Sequence, residues 1–253
     1  MNYHPQKWKH GSPDVFGWHE IITPENSECR DLSVFRLNLQ KDTEFSAGMA
    51  WELTAVVISG CVEAGGEILS QFDSFYLPGG QQVLLRARED SVIYLGAAPS
   101  DAPGELSFLH FDKQQPLGDI HQIHGIPPYD REVFFTLPPQ MPASRLIAGL
   151  TWSRSGTWTS WPPHQHSEDL EEAYFYFGPE KPRFGMQINY LQSGCPDTVH
   201  IVSAGDCIEA PAGYHPTVAS PGSCNAYFWI MAAHCHKSRR YDLAVEDPCY
   251  ETL

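Results

Sequence analysis

The sequence predicts an all-β protein made of two tandem jelly-roll-like β-barrels with few short helices. Three observations carry that expectation. Punctuation is dense, with 21 prolines and 20 glycines in 253 residues. Short apolar and β-branched runs lie between the breaks, and no 15-residue window holds a convincing 3.6-residue apolar period. Finally, one pattern occurs twice. Asp73–Gln82 runs D-x4-P-x-G-x-Q and Asp206–His215 runs D-x4-P-x-G-x-H, offset by 133 residues. A tandem duplication accounts for that spacing economically.

In chain order the expected strands are Leu32–Leu37, Thr54–Ser59, Gln82–Arg88, Ser91–Gly96 and Leu106–Phe111, then Glu132–Leu137, Arg145–Trp152, Ala173–Phe177, Gly185–Leu191, Thr198–Val202 and Ala226–Met231. Each is of strand length, and the spacing between them is that of a sandwich or barrel. The polar, proline-rich stretch Asp112–Tyr129 reads as the connection. The expected units are therefore 1–115, a degenerate N-terminal barrel, and 130–253, the C-terminal barrel.

Composition excludes several classes of function. Sixteen basic against 31 acidic residues leave a net charge of −15, with no basic block. Phosphate backbones and anionic lipid are repelled by such a chain, so neither nucleic acid nor membrane is an expected partner. No run approaches the length of a membrane span and the start lacks a signal-peptide core, so a soluble cytoplasmic protein is expected. Seven scattered cysteines with no CxxC pair fit neither a disulfide scaffold nor a zinc ribbon.

The chemistry is concentrated in the second half. In Pro162-Pro163-His164-Gln165-His166 the two histidines are two apart, so on a strand their imidazoles share a face. A polar turn leads to Glu171-Glu172, and Gly213-Tyr214-His215 brings a third imidazole at a Gly/Pro turn. Glu171 and Glu172 point to opposite faces. Glu172 shares its face with Tyr174 and Tyr176, the more polar side, and is the expected fourth ligand. Three neutral imidazoles and a carboxylate suit one first-row divalent ion. Zinc or manganese comes first, and iron or nickel is compatible with the same donors. The first copy of the repeat has Gln82 where the second has His215, so no metal is expected in the N-terminal barrel.

With these residues in view, the chain resembles the cupin superfamily. More narrowly it resembles the bicupin uronate isomerases, comprising the 5-deoxy-glucuronate isomerases of inositol catabolism and the 5-keto-4-deoxyuronate isomerases. The likeness rests on Ser160–His166 (SWPPHQH), Leu170–Tyr176 (LEEAYFY), Pro211–Pro216 (PAGYHP) and the tail Glu246-Asp247-Pro248. It implies an aldose–ketose isomerase, probed by a small sugar acid as its partner, with a homo-oligomer expected. Such chemistry needs a base beside the metal, for which Glu171, Glu209 and Tyr174 are candidates. It also needs a clamp for the uronate carboxylate, for which arginine is suited. Arg183, Arg145 and Arg131 are the candidates, with Tyr176 and Trp161 lining the pocket. Two other readings stay open: an iron-dependent oxygenase on the same ligands, and a sugar-acid-binding bicupin without catalysis.

Overall fold

Successive side chains of the long strands join two different cores, which shows how the chain is layered. In Ser91–Ala98, Ile93, Leu95 and Ala97 point into the N-terminal lobe while Val92 and Tyr94 point to the seam between lobes. In Leu170–Gly178, Glu172, Tyr174 and Tyr176 face the C-terminal lobe, whereas Ala173, Phe175 and Phe177 face the seam. A strand with two apolar faces must be covered on both, and here one cover is the other lobe. The computed structural model describes residues 2–250.

The N-terminal lobe has a six-stranded sheet in the order Ser107–Leu109, Ser74–Leu77, Glu52–Ser59, Ser91–Ala98, Ser33–Leu39, Gly17–Ile22. Facing it is a four-stranded sheet of Glu44–Ala47, Val83–Ala87, Val62–Ala64 and Glu67–Leu69. The C-terminal lobe has a seven-stranded sheet in the order Lys9–Gly11, Asp206–Ala210, Leu170–Gly178, Ala226–Ala233, Leu146–Ser153, Arg131–Leu137, His121–His124. Its smaller partner orders Trp158–Thr159, Thr217–Ala219, Gly185–Asn189 and Thr198–Val202. A separate two-stranded ribbon joins His164–Gln165 to Val245–Glu246. Each lobe is thus a pair of facing sheets, and the expected barrels are not closed by continuous strand pairing.

The two large sheets pack face to face. Tyr94 of one and Phe175 of the other stack with ring centres 3.5 Å apart, amid a core contributed by both halves. The duplication is visible in three dimensions as well as in sequence. The Asp73 carboxylate accepts the Ser70 N–H at 2.8 Å, and the Asp206 carboxylate accepts the Ser203 N–H at 2.9 Å. In both places the aspartate ties the turn that launches its strand.

Two segments lie elsewhere than the expected boundaries put them. Lys9–Gly11 leaves its own half and pairs with Asp206–Ala210 at the edge of the C-terminal sheet, anchored by the fully buried Trp8. His121–His124, within the expected connection, pairs with Arg131–Leu137. Both are short and polar, so their strand character comes from a waiting sheet edge rather than from local propensity. No helix among the described residues is long and apolar enough to cross a membrane. All seven cysteines are free; Cys29 and Cys207 are buried, and Cys195, Cys224 and Cys249 are exposed.

Candidate metal centre

Three elements bring the ligand candidates together. His164 is held on the short ribbon, opposite Glu246. His166 opens a turn in which its carbonyl accepts the N–H groups of Asp169 and Leu170. Glu172 follows on the long strand, two residues in. His215 comes after Gly213, whose φ is +76° and where a Cβ would stand 2.5 Å from the Tyr190 carbonyl oxygen. Only glycine fits that turn without strain.

Donor atoms of His166, Glu172 and His215 all lie within 4.8 Å of one another. His166 Nε2 is 2.9 Å and His215 Nε2 3.0 Å from the same oxygen of Glu172. All three side chains are buried. His164 stands at the edge of this cluster, its ring centre 5.3 Å from that of His215.

The other ring nitrogens decide what the cluster can hold. His164 Nδ1 faces the Pro162 carbonyl at 3.0 Å, His166 Nδ1 the Leu170 carbonyl at 3.1 Å, and His215 Nδ1 the Gly213 carbonyl at 2.9 Å. A carbonyl oxygen only accepts, so in each ring Nδ1 carries the proton and a neutral ring presents its Nε2 lone pair inward. Lone pairs so close to a carboxylate oxygen repel unless a proton or a cation stands among them. His215 Nε2 is buried and makes no hydrogen bond. The donor set therefore fits a divalent cation.

Electrostatics within the cluster follow from the same geometry. Burial pulls His166 down, but the hydrogen bond and charge of Glu172 outweigh it and the net shift is upward. Burial would raise Glu172, yet the contacts to His166 and His215 bring it down to about 2. Burial and then the neighbouring His215 depress His164 to about 3.

A cavity of about 360 Å³ opens onto the cluster, lined by His124, Arg131, Trp161, His164, Tyr241 and Glu246 among others. A smaller inner chamber reaches Ser160, Glu172 and Tyr174. The Tyr174 hydroxyl lies 2.5 Å from Ser160 Oγ. Trp161 packs against Trp158 and Tyr250. Arg131 lines both spaces, and its guanidinium makes a single hydrogen bond among the described residues, a 3.4 Å contact from Nη1 to the Trp161 carbonyl.

Five expected site residues lie elsewhere. Glu171 faces the seam and accepts the N–H groups of Arg30, Asp31 and Leu32 at 2.8–3.1 Å, so it is no base for this cavity. Glu209 pairs with Ala173 across the sheet, on that same outer face, where it accepts the Glu28 N–H and meets His10. Tyr176 is on the correct face but one strand repeat, about 7 Å, beyond Tyr174; its hydroxyl is spent on Gln187 and Thr217. Arg145 is neutralised by Asp31 and Asp101 in the seam. Arg183 is exposed, in the turn beyond the far end of Leu170–Gly178. Sequence reasoning passed over His124 and Tyr241, which reach the cavity from the expected connection and from beyond the last long strand. No local motif marks either.

Fold and site together define a two-lobed cupin-type β protein whose buried candidate metal centre lies in its second lobe; a second, partly exposed group, Asp31, Glu171 and His234, sits at the seam. Among solved structures, an IolB-like protein from Salmonella typhimurium LT2 superposes with a TM-score of 0.81 at 21% identity, covering 96% of this chain and 98% of that one. The oxalate decarboxylase of Lactobacillus farciminis gives 0.67 at 9% identity, over 97% and 90%. At such identities the likeness establishes the fold alone. The chain belongs to the KduI/IolB family, which matches residues 11–252. It is 28% identical over 257 residues to the 5-deoxy-glucuronate isomerase of Bacillus subtilis strain 168, covering 93% of this chain and 92% of that protein. The isomerase of the same name from Lacticaseibacillus casei is 27% identical, over 83% and 84%.

Proposed function

We propose that the protein is a metal-dependent aldose–ketose isomerase acting on a deoxy-uronate, with 5-deoxy-glucuronate as the leading substrate. The observation that carries the reading is the set of three imidazoles, each locked by a backbone carbonyl at Nδ1, around the one buried carboxylate of Glu172. His164, His166, Glu172 and His215 would hold the cation, zinc or manganese by their chemistry. When bound, such a cation acts as a Lewis acid toward a carbonyl and its neighbouring hydroxyl.

The remaining work falls to the chain. In the reaction a proton leaves C2 as the aldehyde oxygen gains one, giving an enediol. A proton then returns to C1 while the C2 hydroxyl loses its own, leaving a ketone. Tyr174 and Ser160 form a hydroxyl pair in the inner chamber that can relay a proton there. Arg131, a cavity-lining guanidinium with no carboxylate partner among the described residues, is the clamp for the substrate carboxylate. Trp161 walls the pocket against water. Free cysteines and a sugar-acid substrate fit a cytoplasmic enzyme.

The test is incubation of metal-loaded protein with 5-deoxy-glucuronate, following the aldehyde and ketone carbons by NMR. Appearance of the ketose supports the reading. No turnover of this or any related uronate would defeat it.

A further inference from the structure

Buried tyrosines in this lobe spend their hydroxyls on protein. Tyr174 meets Ser160, Tyr176 meets Gln187 and Thr217, Tyr227 meets Thr159, and Tyr190 donates to Asp247. Tyr241 is different. Its ring is gripped on three sides, 5.0 Å from Phe135, 5.4 Å from Trp229 and 5.6 Å from His124. Its hydroxyl has no hydrogen-bond partner among the described residues. The residue is only partly buried and its hydroxyl is not sealed from solvent, so it is free to take a bound molecule as its partner.

Its position shows where such a molecule would lie. Tyr241 is the one residue of the tail that lines both the outer cavity and the inner chamber. Its electrostatic environment is set by burial first, then by Arg131 on one side and by Glu172 and Tyr227 on the other. The tail segment carrying it is fixed at both ends. Arg239 donates to the carbonyls of Leu146, Pro139 and Pro138 at 2.7–3.0 Å. Asp247 accepts from Tyr190, Ser193, Gly194 and Cys249. Between these anchors the chain runs as a strap along the cavity, which Tyr241, Ala244 and Glu246 line.

We propose that Tyr241 is a specificity-determining residue whose hydroxyl hydrogen-bonds a hydroxyl at C3 or C4 of a six-carbon sugar acid. The inference rests on the reading above, in which Arg131 takes the C6 carboxylate and the metal centre takes the oxygens at C1 and C2. Tyr241 shares the inner chamber with Arg131, His164 and Glu172, so its hydroxyl can meet the middle of a substrate held at those two points. It discriminates by leaving a partner unpaired when the middle hydroxyls are absent.

Binding, without turnover, tests it. Calorimetric titration of zinc-loaded wild type and Tyr241→Phe would use two unreactive acids. One is 3,4,5,6-tetrahydroxyhexanoate, the reduced form of the substrate. The other is 5,6-dihydroxyhexanoate, which keeps the carboxylate and the chelating diol but lacks the middle hydroxyls. We expect Tyr241→Phe to bind the tetrahydroxy acid about tenfold more weakly and the dihydroxy acid unchanged, the size of one hydrogen bond. Equal loss for both acids, loss for neither, or failure of wild type to bind either overturns the inference. Turnover of 5-deoxy-glucuronate reports separately. An active enzyme with no differential loss sinks this inference alone, and an inactive one with the differential loss sinks the isomerase reading alone.

Discussion

Glu52 and Glu171 hold the two lobes together by the same device used in opposite directions. Glu52, on the N-terminal lobe, accepts the N–H groups of Ser144, Arg145 and Leu146 at 2.5–2.8 Å, where the strand Leu146–Ser153 of the other lobe begins. Glu171, on the C-terminal lobe, accepts those of Arg30, Asp31 and Leu32, immediately before Ser33–Leu39. Both carboxylates are wholly buried. The pair crosses the seam in both directions and serves as mortar rather than as chemistry.

Adjacent glutamates should therefore fail differently. Glu171→Gln turns one acceptor oxygen into a donor facing backbone amides, at a cost of roughly 1–3 kcal/mol. Calorimetry should show Tm lowered by a few degrees, with metal content and kcat retained. Glu172→Gln should leave Tm of the metal-free protein near or above wild type and cut metal content sharply, by elemental analysis.

Metal dependence should be confined to the second lobe. His166→Ala and His215→Ala should each drop bound metal below 0.1 equivalent, roughly, while far-ultraviolet dichroism stays that of a β protein. Gln82→Ala should not change stoichiometry. A chelator should lower the Tm of wild type, since a ligand present at about a thousandfold its Kd adds about 4 kcal/mol.

Arg131→Gln should raise KM for a uronate by about 10- to 100-fold, the loss of one charge-assisted pair, with metal retained. A corresponding neutral aldose should be indifferent to the change. Steady-state kinetics on the two substrates decides it.

Acid should loosen the strap. Burial works to raise Asp247, but hydrogen bonds from Ser193, Cys249, Gly194 and Tyr190 win, and its carboxyl lies well below the usual range. A depressed folded-state pKa means a stabilising contribution that is complete above the unfolded value, about 3.9, and is lost as pH falls further. Denaturant titrations of wild type should show stability declining below about pH 4. Asp247→Asn should flatten part of that decline and be less stable at neutral pH.

How much could be read in advance depended on whether a partner was local. The HxH pair, the parity that favours Glu172 over Glu171, and the glycine turn before His215 are short-range patterns; donor atoms of His166, Glu172 and His215 lie within 4.8 Å of one another, with the His164 ring beside that of His215. Strand runs such as Ala226–Met231 were legible for the same reason, being apolar on both faces. The arginines were not. Arg145 and Arg131 look alike in sequence, and only distant Asp31 and Asp101 distinguish a neutralised guanidinium from a free one. Tyr241 was hidden because its role is set by a strap whose anchors, Leu146 and Tyr190, lie far away along the chain.

The pairing of Lys9–Gly11 with Asp206–Ala210 has a consequence for any attempt to dissect the molecule. A fragment beginning near residue 130 would present the latter strand with its amides bare, an invitation to intermolecular stacking and precipitation. The N-terminal half thus caps and buttresses its sibling whatever chemistry it carries, by lending it an edge strand.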